Sequence, residues 1–493
     1  MSDAQSGDTL PVLIVGGGPV GMTLASELAR YGIDVRIVDK AAHRADTSRA
    51  LVLWSRTLEL LDRGFGAAPF VEVGLQTKHV SILNGDTRIG RIDMSGVASP
   101  YPYALMIPQS ETERLLEAQL EKQGIVVERR VEVTAIQEVD GGVRAVLRAE
   151  DGSEETVQAK WLVGCDGAHS VVRHSLGVSF AGETLPSDWV LGDVHVSGYP
   201  YGTDVSVYWH REGVLVIFPI SEGRYRVLAD VASSAAEQPP APTVDQLQAL
   251  LDQRGSQGMT IGDPVWLAGF RINDRKVAEY RHGRVFLAGD AAHIHSPAGG
   301  QGMNTGMQDA FNLAWKLALV IEGTGSEDLL DSYSPERSYV GEEVLKGAGR
   351  LTKVATLRNP VAQHIRNFAA HAVLGLPSVQ HAASEMVTEI AIHYPDSPLN
   401  GPALNGGPRP GARVAPVAGQ LPAGSGATPL FALHADNTPE IASLVAAFEK
   451  LVSPDIRPRL AEDGIWLVRP DGYVACAAED TGPIAAYLKR IAR

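Results

Sequence analysis

Apolar and polar positions divide the chain into four stretches of different period. The first is α/β: Pro11-Val12-Leu13-Ile14-Val15 is an unbroken apolar run of strand length, followed by glycines, a helix-compatible run to Tyr31 and a stop at Gly32. A second strand, Val35-Arg36-Ile37-Val38, ends on Asp39. After about residue 72 the pattern is strand-like from Val71 to Tyr103. A helix over Glu111–Gln123 follows, opened by Gln109, and then strands around 126–133, 145–148 and 161–164. From about 180 to 280 two-residue alternation dominates, as in Val205 to His210, Val214 to Phe218 and Tyr225 to Asp230, which predicts an antiparallel sheet inserted into the first unit. Val285-Phe286-Leu287 returns to an apolar strand, and the chain is then mostly helical to about residue 393. Residues 395–429 hold eight Pro and seven Gly and read as a linker or extended arm. Short strands and helices close the chain from 430, with a hairpin around Pro470-Asp471-Gly472.

Composition narrows the partners more than the fold. With 493 residues and 44% hydrophobic content the chain can bury several cores, and a net charge of −15 argues against nucleic acid or an anionic membrane surface. The start MSDAQSGDTL lacks the basic and apolar regions of a signal peptide, so a cytoplasmic location is expected. Only Cys165 and Cys476 are present, which excludes a C-x-x-C redox pair and a disulfide framework. His293 and His295 are close in sequence, but without a third ligand nearby no metal is expected.

Three segments carry the chemistry. In Gly16-Gly17-Gly18-Pro19-Val20-Gly21, Gly16 permits the tight turn, Gly18 lets backbone approach a pyrophosphate, and Gly21 allows strand and helix to pack closely. Asp39 is placed to accept ribose hydroxyls. A bare G-x-G-x-x-G is weak in a chain with 51 Gly; the strand before, the helix after and the acid on the next strand give it meaning. The second segment is Cys165-Asp166-Gly167-Ala168-His169-Ser170. In the third, Gly289-Asp290-Ala291-Ala292-His293 leads through Ser296-Pro297-Ala298-Gly299-Gly300-Gln301-Gly302-Met303-Asn304 into a long helix, whose dipole is expected to act from about Met307. Asp290 at a strand end can take two hydroxyls of a polyol, and the glycine-rich loop offers unpaired N–H groups to an electron-rich ring.

In this order and spacing the three segments resemble those of the class A flavoprotein aromatic hydroxylases, the single-component FAD monooxygenases related to para-hydroxybenzoate and phenol hydroxylases. The resemblance covers nearly the whole chain, and its strongest elements are GCDGAHS followed by GDAAH. It implies an α/β fold: a Rossmann-type FAD-binding domain (1–72, 105–180 and 281–394, with long helices), an inserted antiparallel-sheet substrate domain (73–104 and 181–280), a Pro/Gly-rich linker (395–429) and a small C-terminal thioredoxin-like α/β domain (430–493) without its redox cysteines. It also implies tightly, non-covalently bound FAD. Gly16, Gly18, Gly21, Asp39 and Lys40 would lie at its ADP half, Arg49 at the pyrophosphate, Gln109 near the ring, Asp166 in the Asp-Gly motif and Asp290 at the ribityl chain. Gly299, Gly300, Gln301, Gly302, Met303 and Asn304 would lie along the isoalloxazine edge, with Pro297 and Asn304 as the residues nearest the catalysis. On their own, Arg49 reads as a solvated arginine, Gln109 as an ordinary helix residue and Asp166-Gly167 as a turn.

The implied reaction is hydroxylation of a phenolic or polycyclic aromatic substrate by NAD(P)H and O₂ through a flavin C4a-hydroperoxide. No second glycine fingerprint follows a strand, so NADPH or NADH would dock transiently; Lys40, His43 and Arg44 favour NADPH. On the inserted sheet Tyr208, His210 and Phe218 are the candidate substrate contacts, and no catalytic base is identifiable. Baeyer–Villiger, epoxidising or ring-rearranging chemistry stays open as the alternative, with an inactive flavin-binding scaffold behind it. No nucleic-acid or membrane partner is expected, and a homodimer is left open.

Overall fold

A computed structural model describes residues 9–45, 50–234, 236, 238–297, 299–357 and 359–493. Its first sheet runs in the order Arg281–His282, Val285–Leu287, Glu154–Gly164, Leu10–Val15, Val35–Asp39, Val127–Arg129. Leu10–Val15 lies parallel to both Glu154–Gly164 and Val35–Asp39 in the middle of the sheet, which explains its unbroken apolar run: Val12, Leu13 and Ile14 have no exposed surface. Strands Val131–Val139 and Gly142–Ala149 extend this sheet antiparallel from Glu154–Gly164. Helix Pro19–Arg30 starts with proline at its first position, where the missing N–H costs nothing, and packs against the long helix Gly302–Ile321.

The second sheet also has eight strands, ordered His293–Ile294, Thr260–Lys276, Ala181–Ser197, Arg224–Val231, Gly213–Ser221, Val205–His210, His79–Asn84, Thr87–Asp93. All of its pairs are antiparallel except Val205–His210 with His79–Asn84. Helix Val244–Arg254, opened by a Thr243/Gln246 capping box, covers one face. The opposite face receives helix Pro360–Leu374, with Arg366 over the Trp209 ring and His371 against Ile89 O. The resemblance places this helix with the FAD-binding unit, whereas it packs on the second sheet; its helical period reports that a face is apolar and not which neighbour buries it. Leu75–Thr77 leaves the second sheet as well, joining Val52–Leu53 and Ala104–Met106 in a separate three-stranded sheet.

The C-terminal sheet has the order Val452–Arg457, Phe431–His434, Ile465–Val468, Val474–Ala478, the first pair parallel and the others antiparallel. Helices Pro439–Ala447 and Thr481–Ile491 flank it. Residues 395–429 are no free tether. Gly401 N–H donates to Ala475 O, Gly411 N–H to Val474 O and Val414 N–H to Gly472 O, so this Pro/Gly-rich stretch runs as an arm along the C-terminal module. Arg413 carries it further, pairing with buried Glu59 of helix Ser55–Leu61.

A network of buried charge ties these parts together. Glu336 accepts from Lys316 Nζ at 2.8 Å and from Arg469 Nη1 at 2.6 Å, and Arg469 also pairs with Asp471 at 2.6 Å. Burial opposes the charge on Glu336, but Arg469 and Lys316 outweigh it and hold the carboxyl well below its usual range. Burial lowers Lys316 to about 8 despite that carboxylate. Removing one member would strand the others in a dry interior.

Candidate active site

Three glycine-bearing stretches meet at one place. Gly16, at φ +110°, sits so close to Cys165 O that a side chain would overlap it, and Gly21 is pressed in the same way against Gly16 O. On the far side, Val20 Cγ2 is 2.8 Å from where a Cβ on Gly289 would stand and 2.7 Å from one on Gly306. The turn carrying Asp290 and the helix beginning at Gly302 therefore meet at Gly289 and Gly306, both against the Val20 side chain of the first helix, a closeness that glycine permits.

Gly18 is the exception, since a Cβ there would meet nothing within 4 Å. It borders a cleft of about 190 Å³ lined by Gly16, Asp39, Lys40, Val131, Cys165 and Asp166 among others. The helix N-terminus at Gly18 has no side-chain cap, so its N–H groups are available to an anion in that cleft. A cradle that extra carbon would fill, next to an uncapped helix end, fits a dinucleotide pyrophosphate. Asp39 serves the loop as well as the cleft: it accepts from Gly17 N–H at 2.6 Å and Ala41 N–H at 2.7 Å. Asp166 accepts from Ser170 Oγ and Val172 N–H, yet burial keeps its carboxyl above the usual range. A larger hollow of about 330 Å³ lies among residues 278–279, 334–342 and 394–397. It is lined by Glu279, Glu336, Glu342 and Asp396, a poor lining for phosphate.

At the other end of the site the long helix begins at Gly302 rather than near Met307, so the N–H groups of Gly302, Met303 and Asn304 form its unpaired first turn. No side chain caps it. Asp290, in the turn Gly289–Ala291, is exposed, as is Pro297. Gly299 and Gly300 both take positive φ.

Several expected contacts belong to the scaffold instead. The Asn304 side chain faces the backbone of 52–54: Oδ1 accepts from Trp54 N–H at 2.8 Å, and Nδ2 donates to Val52 O at 2.8 Å and Gly300 O at 3.1 Å. Only its N–H is left for a ring, so Asn304 is a staple rather than a catalytic side chain. Gln301 Nε2 donates to Met386 O, and Gln109 bridges Ala50 N–H and Glu113. Arg44 pairs with Glu117 at 2.8 Å. Arg49 lies outside the described residues. His293 donates to Asp309, itself paired with Arg337 at 2.6 Å, and among the described residues no cluster of metal-ligating groups occurs.

On the second sheet strand parity decides. Val207 is opposite Val216 and Tyr208 opposite Leu215, so Tyr208 faces away from Val216 and Phe218. Tyr208 is fully buried in the cluster beneath helix Val244–Arg254, with its hydroxyl 3.3 Å from Ser256 Oγ and its pKa raised to about 12 by that burial. His210 shares its face at the end of the hairpin and accepts from Glu212 N–H. Neither faces the 52–54 segment that Asn304 staples to the helix mouth. Phe218 does, packing with Val216, Ile220, Trp54, Met106 and Ile390 in an apolar cluster. Trp54 and Ile390 were missed because they lie outside the alternating segment.

A sheet parallel at its centre, a glycine-built phosphate cradle and an uncapped helix mouth beside an apolar sheet face are the parts of a dinucleotide-binding protein. Residues 9–348 match the FAD binding domain family, and the chain belongs to it. It is 35% identical over 484 residues to an uncharacterized aromatic compound monooxygenase of Bacillus subtilis, covering 96% of this chain and 95% of that one. It is 34% identical to 6-methylpretetramide 4-monooxygenase of Streptomyces rimosus, covering 96% and 91%. Among solved structures, anhydrotetracycline hydroxylase from Streptomyces rimosus superposes with a TM-score of 0.78 at 28% identity, covering 98% of both chains. The chain is an FAD-dependent monooxygenase of the aromatic-hydroxylase family, with NAD(P)H as its reductant. Among the described residues no helix is long and apolar enough to cross a membrane.

Proposed function

We propose that FAD lies along the crevice from the Gly18 cradle to the Gly302 helix mouth, and that an apolar aromatic substrate, phenolic or polycyclic, is hydroxylated against the sheet face carrying Phe218. The observation that carries this reading is the contact of Gly16 with Cys165 O together with the approach of Val20 to Gly289, which draws the three motif segments into one site. FAD, when bound, supplies electron transfer from NAD(P)H and activation of O₂.

The chain's own residues do the rest. Gly18 and the first helix turn would hold the pyrophosphate, with Asp39 and Lys40 at the adenosine end and Asp290 at the ribityl chain. The N–H groups of Gly302 to Asn304 supply positive potential without a formal cation, suited to an anionic reduced ring. Trp54, Met106, Val216, Phe218 and Ile390 offer an apolar wall that excludes water and suits a ring without a carboxylate. Two relatives fit such a wall by name, 6-methylpretetramide 4-monooxygenase and pentachlorophenol 4-monooxygenase.

The division into nucleotide, sheet and C-terminal parts is proposed with it. The β-α-β-β-β-α order of 431–491 supports a thioredoxin-like module with a packing role, and the two free cysteines support a cytoplasmic location. The test is turnover under isotopically labelled O₂ with a panel of phenols and naphthols. One labelled oxygen on an intact ring supports hydroxylation; label in a lactone or epoxide would overturn it, and NAD(P)H oxidation indifferent to every substrate would point to a scaffold.

A further inference from the structure

Behind the helix mouth lies a carboxyl group that the flavin chemistry does not use. Glu389 is 1% exposed and holds φ +61°, a left-handed conformation that costs a non-glycine residue energy and persists only where the surroundings enforce it. Its Oε2 accepts from Gln308 Nε2 at 2.5 Å. Its Oε1 is buried with no partner, and so is the Oε1 of that same Gln308. Ionised, the carboxylate brings no donor to the unpartnered Gln308 oxygen; protonated, it supplies one.

We propose that Glu389 is held as a neutral carboxylic acid in a cyclic acid–amide pair with Gln308, donating its proton from Oε1 to Gln308 Oε1, and that this pair positions the 386–390 stretch beneath the flavin helix. The pair satisfies both oxygens with one proton. It also explains the strained backbone, since the stretch is pinned on each side: Met386 O accepts from Gln301, Thr388 O accepts from Arg56 N–H, and Ile390 packs in the apolar cluster with Trp54. Burial raises the acid to about 8, with the Gln308 bond, the Arg337 charge and the Thr305 hydroxyl opposing. The charged group facing it from helix Tyr333–Ala355 is Arg337, which is committed to Asp309 on helix Gly302–Ile321. Kept neutral, Glu389 spares the helix mouth a negative charge that would oppose an anionic reduced ring.

Glu389 is thus a positioning residue, and its effect on the ring rests on the FAD reading above. Infrared difference spectra of wild type against E389Q, taken on both apo and FAD-loaded protein at neutral pH, test the protonation directly. A protonated-carboxyl band present in wild type and absent in E389Q is expected in both forms. Its absence from both overturns the proposal, whatever becomes of the FAD reading. In the loaded enzyme, product formed per NAD(P)H should fall as pH rises through about 8 in wild type and stay level in E389Q, whose amide reproduces the pairing. The double swap E389Q/Q308E should restore the infrared band. A wild-type profile identical to that of E389Q, with the band present, would overturn the effect on the ring and leave the acid–amide pair standing.

Discussion

Replacing Asn304 by alanine removes three hydrogen bonds without touching the N–H that faces the proposed ring site. Two of the three, to Trp54 N–H and Val52 O, are fully buried, and the third, to Gly300 O, is partly so. Water cannot easily replace them, since Trp54 is 5% and Val52 3% exposed. At about 1–3 kcal/mol for each of the two fully buried groups left unsatisfied, Asn304→Ala should cost about 2–6 kcal/mol. The damage should be local. Trp54 also holds the loop through Nε1 to Gly299 O at 3.0 Å, so the 52–54 segment and the 299–304 loop would separate while the nucleotide sheet stays folded. The assay is thermal unfolding alongside peroxide release per NAD(P)H oxidised: a melting midpoint lower by several degrees and a marked rise in uncoupling are expected. Asn304→Asp should be no better, because it keeps the acceptor for Trp54 and loses the donor to Val52 and Gly300. An alanine variant with wild-type melting and tight coupling would refute the staple.

Gly18→Val should fold normally and fail to retain FAD, because its side chain enters open space in the cradle, whereas Gly21→Val should impair folding itself by striking Gly16 O; circular dichroism and flavin content separate the two. Glu389 carries a stability consequence with a definite sign. Its folded value of about 8 exceeds the ordinary 4.5, so the stability linked to its proton is complete below 4.5 and is lost as pH rises towards 8, the loss reaching about 3 kcal/mol by about pH 7. E389Q should flatten denaturant midpoints across that window; an unchanged slope would count against the raised value. Tyr208→Phe should leave KM and coupling alone because it faces helix Val244–Arg254, while Phe218→Ala should raise KM and peroxide leakage; the reverse result would mean the strand faces are assigned wrongly.

Much of this molecule can be read from local spacing, and what cannot depends on distance in the chain. The run at 11–15, the glycines at 16–21 and the acid at 39 form a unit within thirty residues or so, where period and turn chemistry suffice. The segments around 166 and 290 need only a strand leading into each. Tyr208 and Phe218 fall on opposite faces because of the pairing register, although a hairpin drawn at Arg211-Glu212 would have revealed it by parity. Asn304 reads as a ligand-facing residue until its partners, some 250 residues earlier, come into contact with it. The same holds for Lys316, a cation within the apolar run Ala314-Trp315-Lys316-Leu317-Ala318, whose partner Glu336 lies on the next long helix. Glu389 gives no local signal at all: its left-handed backbone is imposed by contacts with three other segments.

The most direct measurement is a crystal structure of the chain grown with FAD. The isoalloxazine carbonyl edge is expected within hydrogen-bond distance of the N–H groups of Gly302 to Asn304, with the pyrophosphate over Gly18 and the open face of the ring towards Phe218. FAD bound elsewhere, or a ring turned away from that helix mouth, would contradict the assignment of the site.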